Sequence, residues 1–135
     1  MPRPSARQQS KSILVVEDDD VVRLLTVEVL EEFGYAVLAA GDASDALDLL
    51  RSEQSIDLLM SDIGLPDMSG RELAEAAREL RPQLPILFAS GYAEGDLLSD
   101  LLNLRGDAAI PTQTITKPFN LELLRERVRE LLKAG

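Results

Sequence analysis

Seven side chains in this sequence have types and positions that could do chemistry together. Glu17, Asp18, Asp19 and Asp20 follow the apolar run Ile13-Leu14-Val15-Val16. Asp62 closes a second apolar run, Ile56 to Ser61, and a turn-rich stretch, Ile63-Gly64-Leu65-Pro66-Asp67-Met68-Ser69-Gly70, comes next. Ser90 and Lys117 each end a further run of strand character. Three carboxylates in one crevice would repel, and burial disfavours their charged forms unless a cation intervenes. An all-oxygen set of this kind suits Mg²⁺. A carboxylate on a rigid strand end, a hydroxyl and an ammonium beside such a site make a phosphoryl-transfer centre. In it Asp62 is the nucleophile, and the metal and Lys117 neutralise the transferring group. Asp19 and Asp20 read instead as caps of the helix that starts near Val21.

The elements that would position these groups alternate along the chain. Strands are expected at Ile13–Val16, Tyr35–Ala40, Ile56–Ser61, Pro85–Ala89 and Gln113–Thr116. Helices are expected at Val21–Phe33, closed by Gly34, at Ser44–Arg51, at Gly70–Arg81, stopped by Pro82, and at Leu121–Leu132, capped by Asn120. The first helix carries a stripe of Val21, Leu24, Leu25, Val27 or Val29, Leu30 and Phe33. A further helix is expected from about Glu94, on Leu97, Leu98, Leu101, Leu102 and Leu104, with its end left open. Alternating strands and helices imply a parallel sheet covered on both faces. The expected fold is a flavodoxin-like, doubly wound five-stranded α/β sheet of order 2-1-3-4-5. In that order strands one and three are neighbours, so Glu17, Asp18 and Asp62 meet at the switch point.

Composition narrows the options. At 135 residues, with 45 % apolar residues, the chain reads as one domain, residues 12–135, after a disordered polar leader, residues 1–11. There is no cysteine or histidine, which excludes disulfides, thiolate or imidazole metal sites and Ser-His-Asp catalysis. A net charge of −10 argues against nucleic-acid binding by this domain. No apolar run is long enough for a membrane span or a signal sequence, and a cytoplasmic location is expected. No Gly-x-x-x-x-Gly-Lys phosphate loop is present. Of three lysines, only Lys117 falls inside the folded body, and a Lys at a strand tip in an Arg-preferring chain points to a compact charge on a flexible stem. The Lys117–Pro118 bond is a candidate cis peptide.

From about Lys11 to Leu132 the chain resembles the receiver domain of two-component response regulators. Four motifs in order carry the likeness: Val15-Val16-Glu17-Asp18-Asp19, Ser61-Asp62 through Ser69-Gly70, Phe88-Ala89-Ser90-Gly91 and Thr116-Lys117-Pro118-Phe119. The resemblance implies that Asp62 accepts a phosphoryl group from a histidine kinase or a histidine phosphotransfer protein. It implies that Glu17, Asp18, Asp62 and the Gly64 carbonyl hold Mg²⁺. It implies that Ser90 and Lys117 bind phosphoryl oxygens, and that a downstream protein reads the face of helix four, strand five and helix five. Such a chain acts as an enzyme only on its own phosphorylation and dephosphorylation.

Two departures from the family pattern stand out. Thr114 occupies the place of the aromatic residue that commonly reports activation, and the interval from Ser90 to Lys117 is long. The stretch from Pro85 to Tyr92 looks like that of a subfamily without the aromatic switch, and also like receivers attached to hybrid histidine kinases. Tyr92 could take the aromatic's place or be an exposed loop ring. With Gly64 and Tyr92 two residues beyond Asp62 and Ser90, slow self-dephosphorylation is expected. The alternatives are a phosphorylation-independent pseudo-receiver that binds protein, or a receiver excised from a hybrid kinase; Met1 and the polar leader lean towards a stand-alone protein. A Mg²⁺-dependent phosphohydrolase would need a second acid where Gly64 stands.

Overall fold

The computed structural model describes residues 11–90, 112–116 and 120–134. Five strands, β1 (Ser12–Val16), β2 (Ala36–Ala40), β3 (Leu58–Asp62), β4 (Ile86–Ser90) and β5 (Thr112–Thr116), form one parallel sheet of order β2-β1-β3-β4-β5. Helices α1 (Asp20–Glu32), α2 (Ala43–Arg51), α3 (Gly70–Leu80) and α4 (Leu121–Ala134) cover it. The helix expected from about Glu94, residues 1–10, Tyr92 and the Lys117–Pro118 bond lie outside the described residues.

The sheet is apolar on both faces because its central strands β1, β3 and β4 are, whereas the edge strand β5, among the described residues, contributes Ile115 alone to the cores. On one face Leu14, Val16, Leu59, Ile86 and Phe88 pack with Ala43, Ala46, Leu47 and Leu50 of α2 and with Leu73, Ala74 and Ala77 of α3. On the other, Ile13, Val15, Leu58, Met60, Leu87 and Ala89 pack with Leu30 of α1 and with Leu124, Val128 and Leu131 of α4. Alternate residues of β1, β3 and β4 therefore feed opposite cores, as the period of two requires.

Strand boundaries shift slightly from expectation for local reasons. The third strand begins at Leu58, not Ile56, because the Asp57 carboxylate accepts the Ser12 N–H at 2.8 Å before ladder pairing starts. It also runs one residue further, taking in Asp62. The apolar stripe of α1 needs a larger correction. Val21, Leu24 and Leu25 are exposed, whereas Thr26 and Leu30 are buried. The inward row is Val22, Thr26, Val29, Leu30 and Phe33. Thr26 can turn inward because its hydroxyl donates to the Val22 carbonyl at 2.7 Å, which leaves a methyl for the core. At the far end Gly34 takes φ 102°, a left-handed conformation that closes the helix and suits glycine.

Candidate functional site

Strand register builds the site. Val16 of β1 lies opposite Ser61 of β3, so the next residues, Glu17 and Asp62, emerge side by side at the carboxyl edge of the sheet. Asp62 pairs with Ala89, and Ser90 with Thr116, so the ends of β4 and β5 reach the same edge. Glu17 and Asp62 are buried, at 5 % and 6 % exposure, while Asp18 is exposed. One carboxylate oxygen from each of Glu17, Asp18 and Asp62 lies within 4.8 Å of the other two. Two nearly buried acids and one at the mouth therefore present hard oxygens to a common point. That is the donor chemistry of Mg²⁺, which takes one or two carboxylates and retains water.

The loops that carry these acids are held by contacts the sequence did not advertise. The Asp19 amide donates to Glu17 Oε2 at 3.1 Å, and the Glu17 amide to the Ala40 carbonyl at 3.1 Å. The Arg23 guanidinium donates to the Glu17 carbonyl at 2.9 Å and pairs with Asp20 at 2.6 Å. Arg23 thus sits behind the acidic loop as a cation, and Gly41 leaves it room: a Cβ there would meet Arg23 Nη1 at 3.3 Å. Asp19 caps α1 by accepting from the amides of Val21 and Val22, and Asp20 opens the helix, the capping roles expected of both.

Beyond Asp62 the chain turns tightly. Gly64 and Ser69 form an isolated antiparallel bridge, and the Gly70 amide donates to the Ile63 carbonyl at 2.6 Å. A Cβ on Gly70 would lie 2.7 Å from the Asp62 carbonyl oxygen and 2.9 Å from Ile63 Cα, so the close return of the chain requires glycine here. Ser69 then starts α3 with a reciprocal capping box to Glu72. Asp67, at the tip of this turn, accepts from the amides of Ala43 and Ser44, both at 3.0 Å, on the first turn of α2. The Ala43 N–H is the largest influence and holds the Asp67 carboxyl below its ordinary value; partial desolvation opposes it, and the Ser44 N–H adds a smaller lowering contribution.

Glu17, Asp18 and Asp62 are therefore brought together, and Gly64 follows Asp62 in an exposed turn. The backbone of Ser90 ends β4 at the same edge. The Ser90 side chain and Lys117 lie outside what is described. Arg23 and Asp67 were missed as participants. The signal for Arg23 was its i,i+3 spacing from Asp20; a bond such as that between Asp67 and Ala43, 24 residues apart, leaves no local trace.

A sequence model of the response regulator receiver domain matches residues 13–129. The chain belongs to the response regulator receiver family. It is 36 % identical over 125 residues to the response regulator receiver protein CpdR of Brucella abortus, covering 93 % of this chain and 99 % of CpdR. It is 34 % identical to the sensor kinase CckA of the same organism over 92 % of this chain, which is only 13 % of that kinase. Among solved structures, a CheY-like receiver domain protein from Methanospirillum hungatei superposes with a TM-score of 0.80 at 35 % identity, over 93 % of this chain and 95 % of that one. The receiver domain of the hybrid histidine kinase CckA does so with a TM-score of 0.72 at 32 % identity, over 90 % and 98 %. The acidic pocket of Glu17, Asp18 and Asp62 is thus that of a two-component receiver, a class that pairs with histidine kinases. None of the described helices is long and apolar enough to cross a membrane.

Proposed function

We propose that this receiver is a phosphoacceptor switch in a two-component phosphorelay, with Asp62 as the residue phosphorylated. The observation that carries the reading is the convergence of three carboxylate oxygens within 4.8 Å at the end of β3, on a backbone fixed by the sheet. An Asp62 oxygen attacks the phosphorus of a phosphohistidine on a kinase or phosphotransfer protein. An O–P bond forms, the P–N bond breaks, and the imidazole nitrogen leaves with its electron pair and takes up a proton. Glu17, Asp18, Asp62 and the Gly64 carbonyl would hold Mg²⁺, which supplies charge neutralisation for the three phosphoryl oxygens. Ser90 and Lys117 complete the oxygen binding in this reading.

The phosphodonor needs a surface beside the pocket. The exposed Val21, Leu24 and Leu25 lie on the first turns of α1, immediately after the acidic loop, and suit an apolar helix of such a partner. The downstream partner would read the face that includes β5 and α4. The receiver unit spans residues 12–135 after a leader of residues 1–11, its location is cytoplasmic, and its only turnover is its own phosphorylation and dephosphorylation.

The test is incubation with acetyl phosphate and Mg²⁺, followed by intact mass, on the parent and Asp62→Asn. One phosphoryl adduct is expected on the parent and none on the variant or in excess EDTA. An adduct on both proteins, or on neither, overturns the reading.

A further inference from the structure

We propose that Asp67 is a positioning residue for the metal site. By tying the turn after Asp62 to the first turn of α2, it sets the direction of the Gly64 carbonyl. The inference rests on the reading of Gly64 as a metal ligand and adds a residue outside the pocket that governs it.

The turn runs from Ile63 to Ser69 and has three kinds of anchor. Its base is rigid: Ile63 donates to the Ala89 carbonyl at 3.1 Å, Gly70 donates back to Ile63, and Gly70 lies against the Asp62 and Ile63 backbone too closely to admit a side chain. Its stem is the single bridge between Gly64 and Ser69. Its tip carries Leu65 and Met68, which rest partly buried on the core, and Asp67, which reaches across to a different helix. Apolar contacts fix depth but not direction, whereas two hydrogen bonds to adjacent amides fix both. Asp67 accepts with separate oxygens, Oδ1 from Ala43 and Oδ2 from Ser44, so its carboxylate cannot swivel without losing one. Both bonds are charge-assisted and lie at a helix N-terminus, where negative charge is favoured.

The receiving end is equally specific. The first three amides of α2 are those of Ala43, Ser44 and Asp45. Asp67 takes the first two, and Asp42, the residue preceding the helix, takes the third at 2.9 Å. The two acids divide one helix end between them, but only Asp67 belongs to the turn that bears Gly64. Asp42 is therefore an internal control: replacing it weakens the same helix end without releasing the turn.

Outer contacts that orient metal ligands typically contribute 10- to 100-fold in affinity. For a ligand held through its backbone, the low end applies. Mn²⁺, a paramagnetic substitute for Mg²⁺, can be titrated by electron paramagnetic resonance into the unphosphorylated protein, so the readout does not depend on phosphotransfer. We compare the parent with Asp67→Ala, Asp67→Asn and Asp42→Ala, with melting temperatures measured alongside. Asp67→Ala is expected to raise the Mn²⁺ dissociation constant roughly tenfold. Asp67→Asn, which keeps one acceptor oxygen, should fall between it and the parent. Asp42→Ala should lower the melting temperature comparably while leaving Mn²⁺ affinity within about twofold of the parent. Equal Mn²⁺ affinities for Asp67→Ala and Asp42→Ala overturn the proposal, because Asp67 would then be a helix cap and nothing more. A parent that binds no Mn²⁺ at the acidic pocket overturns the metal reading itself, and this inference with it.

Discussion

Asp67 shows how much one exposed side chain can hold when its partners are backbone amides rather than another mobile side chain. A surface ion pair such as Arg71 with Glu75, at 3.6 Å and about half exposed on both sides, must order two long chains and contributes little. Asp67 orders only its own short chain against amides that the helix has already fixed. Its bonds need the charged carboxylate, and its folded pKa lies below the ordinary 3.8. The unfolded chain therefore takes up the proton first as pH falls. The stabilisation is fully present above the ordinary value and disappears as pH drops through the folded one. Urea unfolding at a series of pH values should accordingly show the parent more stable than Asp67→Asn at pH 6 to 7. The gap should close as the pH falls through the folded pKa of Asp67, where its carboxyl becomes neutral like the amide. A gap that persists undiminished at the acid end would assign the difference to shape rather than charge. None of this was legible in the sequence, where Asp67 sits in a turn signature and reads as a turn residue. Hydrogen bonding across 24 positions is a product of tertiary packing.

At the scale of the element, α1 carries the clearest divergence between pattern and packing. Its period was legible and its phase was not, because a stripe drawn through the aliphatic residues passes over Thr26. With the hydroxyl returned to the Val22 carbonyl, Thr26 behaves as a small apolar residue, and the inward row passes through it. The consequence is functional: Val21, Leu24 and Leu25, nominally core residues, face solvent at 66 %, 58 % and 55 % exposure. They leave the core nothing to lose, so Leu24→Glu should change stability by no more than about 0.5 kcal/mol. If α1 is where the phosphodonor docks, that variant separates two routes to Asp62. Phosphorylation by acetyl phosphate should proceed at the parental rate, because the small donor needs only the pocket. Transfer from a phosphorylated histidine phosphotransfer protein should slow at least tenfold, since an uncompensated charge in an apolar contact costs more than the roughly 1–3 kcal/mol of a neutral polar group. Equal slowing with both donors would mean that the substitution had disturbed the acidic loop. The strands, by contrast, were legible to within one or two residues at their ends. Their β-branched and aliphatic runs end at chemistry-bearing positions, and a parallel sheet buried on both faces admits few other readings.

For the whole molecule, the order β2-β1-β3-β4-β5 has an electrostatic consequence. It sets the ends of β1 and β3 side by side and so concentrates acids at one edge of a chain whose net charge is already −10. The convergence was legible from strand order, because adjacency of strands one and three follows from topology without any distance. Convergence of Glu17, Asp18 and Asp62 sets like charges close together in the metal-free fold, and Arg23, bonded to the Glu17 carbonyl, lies behind them as one compensating cation. A bound divalent cation removes that repulsion and adds its own binding energy to the folded state alone. At a free concentration 100 times the dissociation constant this amounts to about 2.7 kcal/mol. For a domain of this size each kcal/mol moves the melting temperature by roughly 3 °C. Thermal unfolding in EDTA and in saturating Mg²⁺ should therefore differ by roughly 8 °C for the parent. Asp18→Asn tests the origin of the shift, because Asp18 is exposed at the mouth and its loss opens no cavity. In EDTA it should melt at or above the parental temperature, having one repelling charge fewer. In Mg²⁺ it should gain less than half of the parental increment. A variant that gains the full increment would mean that the ion binds elsewhere on the acidic surface and that the three converging carboxylates do not hold it.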